Sequence, residues 1–237
     1  MSSNQRRFFI KSSAAGIASI ALPTYSILSS AAETKATDEK GKDATRLLAQ
    51  YALNTKYEDL PPNIKREAAR AFVNFVGVTV GSCRHEAVNI SIDSLRPVSG
   101  SNQATILGRK ERFDALNAAF INGVSSHVFD FDDTHLVTNI HAAGPIASAL
   151  LAYSELKPVS GREFMNAFYL GVEYTIRLAN SLAPNHGPWH GSGTHPSIGA
   201  AAAIGRLMQL SEQQMIWALG LAASQPVSYT HLTLPTN

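Results

Sequence analysis

Ser126-His-Val-Phe-Asp-Phe-Asp-Asp-Thr-His-Leu-Val-Thr-Asn-Ile-His-Ala-Ala-Gly-Pro145 is the stretch on which the reading of this chain turns. It carries three carboxylates (Asp130, Asp132, Asp133) and three imidazoles (His127, His135, His141). Phe129 and Phe131 alternate with the acids, and in an extended segment such alternation sends successive side chains to opposite sides. Part of the segment is therefore expected against apolar surroundings. Burying a carboxylate or an imidazole moves its pKa, and acid–base chemistry depends on such shifts. The plainer reading is a helix end with acidic capping residues and exposed histidines, and spacing alone does not choose between the two.

Working outward, the pattern from Ala44 to Gln225 is helical almost throughout. Leu47, Leu48, Tyr51 and Ala52 mark one face of a first helix. Pro61-Pro62 opens a second, because a proline in the first turn lacks only an N–H that would have had no partner. Its apolar positions include Ile64, Ala68, Ala71, Phe72 and Phe75, and the β-branched, Gly-interrupted run Val76–Val80 is expected to be held by burial rather than propensity. A shorter helix spans Ala87–Leu95 and ends before Pro97. Ala104–Leu107 reads as a short strand or extended link closed by Gly108.

Phe113–Phe129 follows as a helix with Leu116, Ala119, Phe120 and Val124 on one side. It leads into the acidic stretch, after which Pro145–Leu156 forms an alanine-rich helix. Ser160-Gly-Arg-Glu163 has the form of a capping box, and opens a helix to about Leu182 with Phe164, Phe168, Val172 and Ile176 inward. Pro184–His195 reads as a loop. Gly199–Leu207 is an alanine helix that neighbours can approach nearly backbone to backbone, and Ser211-Glu-Gln-Gln214 caps a last helix through Ser224. There is no fixed-period repeat, no Gly-rich nucleotide loop and no heptad pattern.

Composition narrows the function classes. Over 237 residues, 45% are hydrophobic and 16% charged, which is globular and sufficient for a sizeable core. The formal charge of +2 comes from Arg6, Arg7 and Lys11; without them 17 basic residues face 18 acidic ones, no footprint for nucleic acid. The single cysteine, Cys83, rules out an intrachain disulfide and a cysteine-rich zinc site, and reads as a small buried residue.

The two ends read differently from the body. Residues 1–32 run from Arg6-Arg7-Phe8-Phe9-Ile10-Lys11 through a mild apolar stretch to Ser29-Ser-Ala-Ala32, the order of a Tat-type export signal, with Gln5 where Ser or Thr is usual. The apolar run Ala14–Leu22 is short of the roughly 20 residues that a membrane span needs. Residues 33–43 are expected to be a polar linker and the protein to be periplasmic. Residues 226–237, Pro226-Val-Ser-Tyr-Thr-His-Leu-Thr-Leu-Pro-Thr-Asn237, break the pattern and are read as a non-native read-through tail, with a genuine terminal strand as the alternative.

Asn122-Gly-Val-Ser-Ser-His127-Val-Phe-Asp130-Phe-Asp-Asp-Thr134-His resembles the signature segment of the MmgE/PrpD family. The resemblance continues through Gly144-Pro145, Ser148–Glu155, Ser160–Glu163, Gly171-Val-Glu-Tyr174 and Gly199–Ala203, and so covers about 44–225. It implies an all-α, multi-helix domain, with a smaller α/β second domain missing from this chain. It also implies lyase-type chemistry (dehydration, decarboxylation or epimerisation) beside a carboxylate of a small di- or tricarboxylate, with no metal or organic cofactor, in a homodimer. A C-terminally truncated fragment of this kind is expected to be inactive alone, because a lysine and a tyrosine implied further on are absent.

Position by position, the resemblance nominates Asp130, His141 and His190 as catalytic residues and Thr134 as substrate-binding; neighbouring His135, a position that varies in the family, is placed with Thr134 as a substrate-binding candidate. His190 matches by lying nine residues before Gly199. The family usually has His-Pro where this chain has His141-Ala142, which loosens the turn after that histidine. In this reading His141 and His190 exchange protons with the substrate near neutral pH, Asp130 orients an imidazole, and Thr134 donates to a substrate carboxylate. His127, His186 and His195 read as structural, and His85 as exposed. Two rivals follow from residues alone: an Asp/His metal-dependent hydrolase, for which Asp130-x-Asp132-Asp133 is a reasonable chelate, and a non-catalytic periplasmic polycarboxylate binder.

Overall fold

The computed structural model describes residues 43–182 and 190–232; the segment read as an export signal (1–32), most of the stretch read as a linker, residues 183–189 and residues 233–237 lie outside the described residues. Eight α-helices make up nearly all of it, as the all-α expectation required: α1 Ala44–Asn54, α2 Pro62–Ser82, α3 Glu86–Leu95, α4 Ala115–His127, α5 Ala143–Leu156, α6 Gly161–Leu182, α7 Gly191–Leu207 and α8 Glu212–Leu232. Two-residue strands β1 (Ala104–Thr105) and β2 (Arg112–Phe113) pair antiparallel between α3 and α4. None of the described helices is long and apolar enough to cross a membrane.

Three apolar clusters hold the helices together. The largest joins Phe75 of α2, Ile146 and Leu150 of α5, Phe164 and Phe168 of α6, and Ala203 of α7. Phe72 meets the Phe164 and Phe168 rings edge-on, with centroids 5.1 and 5.6 Å away. Burying one such ring stabilises the fold by about 1.5–3 kcal/mol. A second cluster packs Val88 and Ile92 of α3 with Ile106, Phe113, Ala118 and Ile121. A third sets Ala49 and Ala52 of α1 against Leu170 and Tyr174 of α6 and Met215 and Leu219 of α8.

The capping signals read from sequence fall where helices begin. Ser160 N donates to Glu163 Oε2 at 3.0 Å while Glu163 N donates to Ser160 Oγ at 3.2 Å, the reciprocal pair of a capping box. Ser211 and Gln214 repeat it ahead of α8. Asp114 caps α4 by accepting from Asn117 N. His85, expected to be merely exposed, caps α3 through Nδ1, which accepts from Ala87 N at 3.2 Å.

Other expectations are corrected. Of Val76–Val80 only Thr79 is buried, and Val80 is 44% exposed. The Thr79 hydroxyl donates back to Phe75 O within α2, and α2 is tied to α4 where the Ser82 and Ser125 hydroxyls meet and Ser125 Oγ donates to Thr79 O. The side of α4 that carries Leu116 and Phe120 points outward, with Leu116 84% and Phe120 56% exposed. Ala118, Ile121, Asn122 and Ser125 face the core instead, and Asn122 bridges the Leu107 N–H and the Thr105 carbonyl. Gly191–His195, read as loop, forms the first turns of α7. The last helix continues past Ser224 to Leu232.

Candidate active site

The acidic stretch leaves α4 at His127 and returns to helix at Ala143. It is neither an extended strand nor a bare helix end. Asp130 N donates to His127 O at 2.7 Å, and Asp130 takes a left-handed backbone, φ 52°, which Asp tolerates better than most residues. A bridge between His135 and Ile140 then closes a turn in which Asn139 is also left-handed. Ile140 and Ala142 are buried beneath the turn against Ala179 of α6. His141 N donates to Ser192 Oγ at 3.0 Å, tying the stretch to the start of α7. Gly144 lets α5 begin close against the end of α4, since a Cβ there would stand 2.6 Å from Ser126 Oγ.

This path gathers four ionisable side chains. The Asp132 carboxylate is almost fully buried, and its Oδ1 lies 3.0 Å from His127 Nδ1 and 3.3 Å from His141 Nδ1. An ionised carboxylate only accepts, so His127 Nδ1 carries the proton of that hydrogen bond. Asp130 Oδ1 stands 3.5 Å from His141 Nε2 and 3.9 Å from His127 Nδ1, with its side chain 76% exposed. The two imidazole rings meet at an angle, centroids 4.9 Å apart. Burial, aided by the neighbouring Asp132 carboxylate, raises the Asp133 pKa to about 6, against the opposing pull of the Ala143 N–H and His141.

A cavity of about 700 Å³ opens beside this group, within the range of small-molecule sites. Its polar wall includes Ser126, His127, Asp132, His141, His190 and Ser192, and its apolar wall Ala119, Phe120, Val124 and Val128. Of the residues nominated from sequence, His141 and His190 thus line the same cavity although 49 positions separate them in the chain. Asp130 touches His141 from a more exposed position. Thr134 and His135 line a different cavity, of about 630 Å³, together with Asp133, Arg70 and Tyr169. Thr134 Oγ1 still lies 3.4 Å from His141 Nδ1, so it meets the first cavity's imidazole from behind. His135 pairs with Thr138 Oγ1 at 2.8 Å and faces away from His141's cavity.

His127 and Asp132 were not singled out from sequence as site residues, yet they complete the group. Their spacing of five positions across a helix end gives no periodic signal. His195 is structural, as expected: it is buried, with Nδ1 2.9 Å from Gly191 O. Cys83 is buried against Gly108.

Residues 46–233 match the MmgE/PrpD N-terminal domain, and the chain belongs to that family. It is 30% identical over 192 residues to cis-aconitate decarboxylase of Mus musculus, covering 77% of this chain and 39% of the relative. The cis-aconitate decarboxylase of Homo sapiens is 29% identical over 195 residues, covering 77% and 40%. That of Aspergillus terreus is 22% identical over 190 residues, covering 76% and 39%. The chain therefore spans about two fifths of the length of the curated relatives it matches.

Proposed function

We propose that this chain supplies half of the active site of a lyase that moves protons next to a carboxylate of a small di- or tricarboxylate, cis-aconitate being the first compound to try. The observation that carries the reading is that His141 and His190 line one cavity while carboxylates on two sides hold His141. Asp132 orients the His127 and His141 rings from behind, as a carboxylate does in fixing a tautomer. In a decarboxylation the C–C electron pair stays on the substrate carbon as CO2 leaves, and an imidazolium returns a proton to that carbon. In a dehydration one imidazole takes the carbon-bound proton and the other protonates the departing hydroxyl.

Both routes use only proton transfer from side chains, in keeping with chemistry free of metal and organic cofactor. Names of the relatives favour decarboxylation within this class. A homodimer is part of the same proposal. It is supported by the exposed Phe129 and Phe131, which flank a groove along Gly77 and Gly81 of α2. Export to the periplasm through the twin-arginine segment completes it.

The test is incubation of a version extended to the relatives' length with cis-aconitate, citrate and 2-methylcitrate in D2O, followed by proton NMR. Loss of substrate with deuterium entering beside a carboxylate supports the lyase reading. Tight binding of these acids with neither product nor exchange replaces it with the binding-protein reading.

A further inference from the structure

We propose that His127, Asp130, Asp132 and His141 form a site for one divalent transition-metal ion, of which Zn²⁺ suits the donor set best, and that the ion competes with proton transfer at His141. Each residue offers one donor atom, and the four atoms lie within 4.8 Å of one another. Tetrahedral zinc, with bonds of about 2.0–2.1 Å to nitrogen and oxygen, needs donors about 3.3 Å apart. Asp132 Oδ1 already stands 3.0 Å from His127 Nδ1 and 3.3 Å from His141 Nδ1, while Asp130 Oδ1 stands 3.9 Å from His127 Nδ1. The 3.5 Å contact of Asp130 is with the other nitrogen of the His141 ring, Nε2, so Asp130 must swing inward for the four donors to meet one ion.

The residue that must move most is the one free to do so. Asp130 is exposed on a tight turn, whereas Asp132 is buried and fixed. A buried carboxylate calls for a positive partner, and both of its ion-pair partners are imidazoles. Two imidazole nitrogens with two carboxylate oxygens suit Zn²⁺, and ill suit Mg²⁺ or Ca²⁺, which take oxygen donors. An outer contact of the kind that holds a metal ligand in position is also in place: Ser192 Oγ accepts from His141 N.

A bound ion occupies the lone pair that His141 would use as a base, so zinc and catalysis exclude each other at this residue. Only this second half of the inference rests on the proposed lyase function. Metal binding itself is read without turnover.

The 237-residue chain, stripped of metal with a chelator, is titrated with Zn²⁺ against a chromogenic chelator, and separately with Co²⁺ while visible absorption is recorded. Expected are one equivalent of Zn²⁺ and an intense four-coordinate Co²⁺ spectrum that Zn²⁺ erases. Affinity should fall at least about tenfold in His127→Gln and Asp132→Asn, while His190→Gln binds as the parent does. The Co²⁺ spectrum of the unaltered chain reads coordination even where a variant fails to fold. Failure to bind stoichiometric Zn²⁺, or a weak six-coordinate Co²⁺ spectrum, overturns the site. In an extended, active version, one equivalent of Zn²⁺ should stop turnover and a chelator restore it. Turnover indifferent to bound zinc overturns the competition alone; an extended version that binds zinc yet shows no turnover even after a chelator has removed it supports the site and removes the lyase reading.

Discussion

Gly171 of α6 and Gly199 of α7 lie backbone to backbone, so that a Cβ built on Gly199 would collide with the Gly171 carbonyl oxygen and the Thr175 hydroxyl. A Cβ on Gly171 would stand 3.0 Å from Gly199 O and 2.8 Å from Ile146 Cγ2. Backbone cannot swing aside as a side-chain tip can. Gly199→Ala must therefore push α7 off α6, at a cost of about 1–3 kcal/mol or more. Thermal unfolding should show a fall in Tm of several degrees. Gly77→Ala is the contrast, since nothing lies within 4 Å of a Cβ there. Replacing that mid-helix glycine should stabilise by about 0.5–1 kcal/mol. Equal behaviour of the two variants would refute the close-approach account.

Asp133 makes stability depend on pH in a stated direction. Its folded-state pKa is raised to about 6 from the ordinary value of 3.8. Between those two values the folded chain holds more protons than the unfolded one, so this group's contribution falls as pH rises. The group is favourable below about pH 4, and the penalty, on the order of 2–3 kcal/mol, is complete above about pH 6. Asp133→Asn keeps the oxygen that accepts from Ala143 N and removes the titration. Urea unfolding at pH 4 and pH 7 should show the variant gaining on the parent at the higher pH. A difference that does not change with pH would sink the assignment.

The cap of α6 can be tested alone. Ser160→Ala removes the hydroxyl that accepts from Glu163 N, and should cost about 1 kcal/mol. Glu163→Ala should cost less in that variant than in the parent, because the two residues cap each other. Chemical denaturation of the two single variants and the double variant reads the coupling.

The roles of the two acids beside His141 separate in a kinetic comparison. In a version extended to the relatives' length, Asp132→Asn should lower kcat by about 10²-fold or more, because the buried acid sets the imidazole orientation. Asp130→Asn should lower kcat much less, because its carboxylate meets His141 Nε2 from a largely exposed position. Loss of kcat from Asp130→Asn alone would reverse the assignment of the two roles.

The sequence disclosed those parts of the fold that depend on neighbours in the chain. Ser160 with Glu163 and Ser211 with Gln214 announce helix starts because both partners lie within one turn. Leu116 and Phe120 could be put on one side of α4 but no further, because periodicity marks an apolar stripe without saying whether it meets core or cavity. Nothing local set Asp132 apart from its neighbours Asp130 and Asp133. Alternation assumes an extended backbone, whereas the left-handed Asp130 turns the chain and carries Asp132 inward while Asp130 stays outside. The meeting of His141 with His190 rested on family resemblance, since no local pattern joins the stretch before α5 to the start of α7, where His141 N donates to Ser192 Oγ.

His141 stands as a party wall. Its ring lines one hollow, and from the neighbouring hollow Thr134 reaches the same ring. Arg70 and Tyr169 border only the second chamber, and Thr134, on the same chamber's wall, carries a hydroxyl 3.4 Å from a ring nitrogen that serves the first.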